Sequence, residues 1–172
     1  MKNKNVLYLT QAAMIAALYV VLTLIANALG LANHAVQLRF SEALTVLPFF
    51  TPAAIPGLFV GCIISNLLAG GIMLDVVFGS IATLIGAFGT YALRKIAQGT
   101  FARRAILTIP PVLANTIIVP IVLKYGYGLP TSFAFNATTV CIGEILSCTV
   151  LGLLLICVLE KYKNVIFRNQ FA

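Results

Sequence analysis

Residues 37–75 read QLRFSEALTVLPFFTPAAIPGLFVGCIISNLLAGGIMLD. The run is apolar enough to lie among membrane spans, yet Arg39 and Glu42 stand near its start and Asn66 and Asp75 near its end. An ionisable side chain close to a bilayer core costs about 2.5–3.5 kcal/mol on insertion scales, so such groups normally face a partner or a water-filled cavity. Pro48, Pro52, Pro56 and Gly57 interrupt the middle of the run. Proline removes a helix hydrogen bond and turns the preceding residue away from helix. The expected arrangement is two short helices, about Glu42 to Phe50 and about Pro56 to Ala69, forming one wall of a polar binding cavity.

The composition around this stretch sets the class. Of 172 residues, 61% are hydrophobic and 9% charged, whereas soluble domains carry about 25% charged residues. The fold class expected is an all-α integral membrane protein, one transmembrane domain over residues 1–172. At about 20 apolar residues per crossing, six spans fit and no soluble catalytic domain remains. The formal net charge of +7 raises the question of nucleic acid, but its placement excludes that partner. Lys2 and Lys4 precede the first span, Arg94, Lys95, Arg103 and Arg104 bracket a central connection, and Lys161, Lys163 and Arg168 follow the last. Clusters at span ends follow the positive-inside rule, so both termini are expected in the cytoplasm and the protein in the cell membrane.

Charge parity then sets the path. The first span, Val6 to Ala26, runs outward and continues from the N-terminus without a cleavage pattern, so it reads as a retained helix. The span from about Asp75 to Tyr91 ends at Arg94 and runs inward. The stretch between them must cross an even number of times, which suits two short helices. A proline-containing span follows, about Ala105 to Leu123, with Pro110, Pro111 and Pro120, and then a last span, about Thr139 to Leu159. Asn27 to Ser41, with His34, and Lys124 to Thr139 become outer loops. Nine of the eleven basic residues then lie inside, with only Arg39 and Lys124 outside.

The sequence offers little for covalent chemistry. It contains no G-x-x-x-x-G-K-[ST], H-E-x-x-H or G-x-S-x-G pattern, a single histidine, and four cysteines (Cys62, Cys141, Cys148, Cys157) in apolar runs that read as small buried hydrophobes. No catalytic residue, metal or cofactor is expected, and any ATP that drives the protein must be hydrolysed by a partner. Ala12, Ala13, Ala16 and Ala17 form two overlapping A-x-x-x-A pairs, and Gly57 and Gly61 a G-x-x-x-G. Small faces let membrane helices approach closely. The glycine pair is expected to pack inside the protein, and the alanines either inside or against another subunit.

The polar candidates each admit two readings. Arg39 and Glu42, three apart, are a local ion pair or ligand contacts. Asp75 is a helix cap or a ligand contact. Glu144, about one turn inside the last span, binds a ligand or belongs to a pair. Asn66 and Asn115 make interhelical hydrogen bonds or join Asn136 around a ligand. Tyr125, Tyr127, Phe133 and Phe135 are interfacial anchors or stacking faces for an aromatic guest.

The runs VQLRFSEALTVLPFFTPAAIPGLFVGCIISNLL and DVVFGSIATLIGA resemble the QueT family of substrate-binding S components of energy-coupling factor transporters. The paired alanines Ala12, Ala13, Ala16 and Ala17 resemble the face by which S components dock on the transmembrane coupling subunit. The resemblance implies a six-helix S component in the lipid bilayer. It implies capture of a deazapurine precursor of queuosine, queuine or 7-aminomethyl-7-deazaguanine, and delivery when the coupling subunit and two ATPases act. A guanine-like edge offers adjacent N–H and amino donors, which a carboxylate accepts through two parallel bonds. Glu144, Asp75 and Glu42 are expected to supply carboxylates and Asn66, Asn115 and Asn136 to read ring acceptors. Phe78, Phe133 or Tyr127 is expected to stack, with Arg39 at the mouth. An S component for another vitamin or nucleobase-like solute, and an ATP-independent oligomeric channel, stand as alternatives.

Overall fold

The computed structural model of the protein describes residues 4–31 and 38–166. Among these, helix predominates and strands are absent. The helices are α1 (Lys4–Ala28), a 3-10 helix (Phe40–Phe49), α2 (Ala54–Leu68), α3 (Met73–Leu93), α4 (Phe101–Gly126) and α5 (Phe133–Tyr162). The four long ones are each long and apolar enough to cross a membrane. The expected loop tip with His34 and Gln37, and the flanking Lys2 and Arg168, lie outside the described residues.

The quoted stretch folds as two short helices joined at Pro52, as expected, but the first is wound as a 3-10 helix. Ten such residues reach about 20 Å at about 2.0 Å per residue, against about 15 Å as α-helix. The tighter winding carries a short segment from Arg39, beside Asp75 at the start of α3, to Phe50. There the chain shares a cavity wall with Lys4 and Arg94 near the opposite ends of α1 and α3. Ser41 to Pro48 are all buried, so this backbone is shielded by the long helices, the condition under which irregular structure is tolerated at membrane depth.

Packing of α1 on α2 interlocks the two small-residue motifs. A Cβ placed on Gly57 would come within 2.7 Å of the Ala12 carbonyl oxygen, and one on Gly61 within 2.8 Å of Tyr19 Cβ and 3.0 Å of the Ala16 carbonyl oxygen. Glycine is what lets these backbones meet. Gly61→Ala is expected to cost about 1–3 kcal/mol, as overpacking does. A lowered thermal midpoint of the detergent-solubilised protein measures it, and an unchanged midpoint would contradict the packing. On the other side Gly86 and Gly89 of α3 receive Pro111 and Pro110 of α4. These prolines occupy the first turn of a helical stretch, where a missing N–H costs least. A π-turn at Val122–Gly126 follows Pro120.

The loop expected over Lys124 to Thr139 is shorter in the structure. Helix α4 runs on to Gly126, and α5 begins at Phe133 because the Ser132 hydroxyl caps it, accepting the Phe135 N–H at 3.2 Å. Phe133, Phe135 and Asn136 therefore sit on the first turns of a helix. Gly128, at φ +65°, makes the turn between the helices.

Candidate functional site

Tyr19, Thr23 and Asn27 recur at every fourth position of α1 and so share one face of its otherwise apolar second half. That face meets the 3-10 helix, in which residues three apart eclipse one another, aligning Glu42 and Thr45, with Arg39 extended just ahead of its first turn. The Tyr19 hydroxyl donates to Glu42 Oε1. The Thr23 hydroxyl is within 2.8 Å of Ser41 Oγ. Neither Tyr19, Thr23 nor Asn27 was among the residues expected at the site; their four-residue spacing is the signal that marks them.

Below this contact lies a closed polar core. Glu42 is 2% exposed and Glu144 8% exposed. Asn115 Nδ2 donates to Glu42 Oε2 at 3.5 Å, and the Cys148 thiol donates to Glu144 Oε2 at 3.1 Å. One ligand atom from each of Glu42, Glu144 and Cys148 lies within 4.8 Å of the others. Their hydrogen bonds hold them together as a protein-internal network, and Cys148 serves as a donor rather than only as a small hydrophobe. A π-turn at Ile145–Leu151 follows Glu144 directly. It brings Ser147 to where its hydroxyl accepts the Arg39 N–H at 3.2 Å. Turns of this kind recur at functional sites.

Above the core opens a cavity of about 300 Å³ whose walls include Thr23, Asn27, Arg39, Asn66, Asp75 and Tyr127. Asp75 is 7% exposed, and it is not the helix cap, a position held by Ile72. Its Oδ2 lies 3.9 Å from Arg39 Nη2 and accepts the Tyr127 hydroxyl at 3.3 Å. Both contacts are longer than optimal. Among the described residues Oδ1 accepts no hydrogen bond. Burial, and after it the charge of Asp75, push the Tyr127 phenol above its ordinary value of 10, so the ring keeps its donor. Asn66 Nδ2 donates to the Asp75 carbonyl at 3.4 Å. The site thus presents a carboxylate with spare acceptor capacity beside an aromatic ring.

The other candidates divide. Asn136 is 3% exposed; its Oδ1 accepts the Thr131 hydroxyl at 2.7 Å, while its Nδ2 is buried without a partner among the described residues. Phe78 is 45% exposed and is not among the residues around the cavity. With its ring outside the cavity wall, it is withdrawn as a stacking partner. The four alanines also separate. Ala12 and Ala16 are buried against Gly57 and Gly61, which removes them as docking positions, whereas Ala13 and Ala17 are exposed. Glu42, Glu144 and Asn115 are brought together, and Arg39, Asn66, Asp75 and Tyr127 form a second group above them.

Four helices each apolar enough to cross a membrane, around buried carboxylates and a polar cavity, define a multi-pass membrane protein, and its family is one of transporters rather than enzymes. The family follows from sequence: the model described as QueT transporter matches residues 9–161, and the chain belongs to that family. Over 85 residues it is 34% identical to a protein of Lactococcus lactis subsp. cremoris (strain MG1363) named queuosine precursor transporter QueT. That match covers 49% of this chain and 50% of the relative, so it spans about half the length of the curated relative. No solved structure matches the chain.

Proposed function

We propose that this protein is the S component of an energy-coupling factor transporter, and that it captures a deazapurine precursor of queuosine in the Arg39–Asp75–Tyr127 cavity. The chain crosses the membrane six times with both termini in the cytoplasm. The two short helices supply the paired crossings, and the clustered basic residues lie inside. The observation that carries the reading is the half-satisfied Asp75 carboxylate: its free acceptor capacity and the adjacent Tyr127 ring suit a flat guest with side-by-side N–H donors. Asn66, in the cavity wall, offers a donor for ring acceptors. The closed Glu42–Glu144 group lies outside the cavity walls and ties the helices beneath it together. Uptake requires the coupling subunit and two ATPases, which meet the exposed Ala13–Ala17 face of α1.

Calorimetry on the purified protein tests the substrate. Queuine or 7-aminomethyl-7-deazaguanine is expected to bind saturably at one site. Tight binding of an unrelated vitamin with no binding of any deazaguanine would assign the protein to a different substrate.

A further inference from the structure

A second and larger cavity, about 750 Å³, lies at the opposite end of the bundle, with Lys4, Tyr8, Tyr91, Arg94, Arg104 and Glu160 in its walls. Its charge is unbalanced: three cations face one acid. Arg104 Nη1 pairs with Glu160 at 2.5 Å and Nη2 donates to the Gly99 carbonyl at 3.4 Å, while its Nε is buried with no acceptor among the described residues. Arg94 lies 3.5 Å from the centre of the Tyr91 ring and donates to the Tyr91 carbonyl at 3.1 Å. The chain has only three other acids, and none of Glu42, Asp75 and Glu144 is in the walls of this cavity. Neither Lys4 nor Arg94 pairs with a carboxylate among the described residues.

The shape adds to the charge. Lys4, Leu7, Tyr8 and Gln11 of α1 share one helix face, and all four line the cavity. The first turns of α1 thus form one wall, tied to the facing turn where the Tyr8 hydroxyl donates to the Pro52 carbonyl at 3.4 Å and Gln11 Oε1 accepts the Thr51 hydroxyl at 3.2 Å. Lysine and tyrosine at the end of a span occupy the headgroup level of a bilayer, and Leu7 and Phe49 give the same space an apolar side. Basic pockets between membrane helices hold anionic headgroups through this combination.

We infer that this cavity is a binding site for the phosphate of an anionic phospholipid, with Lys4, Arg94 and Arg104 as its cations. The cytoplasmic leaflet as its source follows from the topology proposed above; the binding itself does not depend on that topology or on the substrate.

The test uses the full chain in a neutral maltoside detergent, titrated with dioctanoylphosphatidylglycerol and separately with dioctanoylphosphatidylcholine, with bound lipid counted by native mass spectrometry. The anionic lipid is expected to bind at one saturable site and the zwitterionic lipid far more weakly. Lys4→Gln combined with Arg94→Gln should weaken the anionic lipid roughly tenfold or more, while Arg94→Lys retains most of the binding. Lys4→Gln alone, at an exposed terminal turn, provides the reading should the double variant not fold. Equal binding of the two lipids, or anionic-lipid binding unchanged in Lys4→Gln and in the double variant, would overturn the proposal. Displacement by inorganic phosphate at the same concentration as lipid would assign the cavity to a free anion. Displacement by an acidic peptide at lower concentration would assign it to a protein partner. Either result rejects the lipid.

Discussion

Asp75→Asn is expected to weaken deazapurine binding by roughly a hundredfold, since hydrogen bonds to a charged acceptor contribute about 1.5–3 kcal/mol each and 1.4 kcal/mol is tenfold. The substitution keeps size and one acceptor but removes the charge, and the amide must turn a donor toward the guest or toward Arg39. Arg39 separates the two explanations for such a loss. Its guanidinium stands 3.9 Å from Asp75 Oδ2, a loose and partly exposed pair of the kind that contributes little by itself. If Asp75 meets the ligand, Arg39→Gln costs much less than Asp75→Asn, and the double variant resembles Asp75→Asn. If Asp75 acts only by holding Arg39, the two single variants and the double lose the same amount. That pattern in calorimetric titrations would remove Asp75 from the site. Phe78→Ala, on the exposed face of the same helix, should leave affinity unchanged.

Spans are legible in this chain where one signal dominates. The basic residues around 94–104 mark the end of α3, and Pro52 divides the central stretch, because a missing N–H group acts locally whatever surrounds it, whereas Pro48 is accommodated inside the 3-10 helix. The winding of Phe40–Phe49 is not legible in the same way. Propensity separates 3-10 from α-helix weakly, and the choice depends on how far the segment must reach inside a bundle that encloses it. The start of α5 was hidden by the glycines and Pro130 around it, although Ser132 is a good cap.

At the site, charge was the readable part. Glu42, Asp75 and Glu144 stand out in an apolar chain because each needs a reason to be there, and all three are buried beside polar groups. Their partners were less visible. Tyr19 in an apolar helix resembles an interfacial anchor, and Cys148 a small hydrophobe, until tertiary packing sets them against Glu42 and Glu144. Sequence likewise contained both small-residue motifs but not their pairing. Four consecutive-turn alanines cover two faces of α1, and only the position of α2 decides which face is used inside.

That division predicts opposite outcomes for substitutions one residue apart. Ala12→Trp or Ala16→Trp should prevent folding, because Ala12 and Ala16 lie against Gly57 and Gly61 with no room for even a methyl group on the glycines. Overpacking of a close helix contact already costs about 1–3 kcal/mol for small additions, and an indole is far larger. Ala13→Trp with Ala17→Trp should leave the thermal midpoint and deazapurine binding unchanged, since both positions face outward. Around them Leu9, Met14, Leu18 and Val21 are large and exposed, so the two alanines make a shallow flat strip on an otherwise ridged surface. A helix of the coupling subunit can approach closely there, and two indoles would hold it away. The expected result is a folded, ligand-binding protein that no longer co-purifies with the coupling subunit and supports uptake only at background. Normal uptake by cells carrying the double variant would show that docking uses another face.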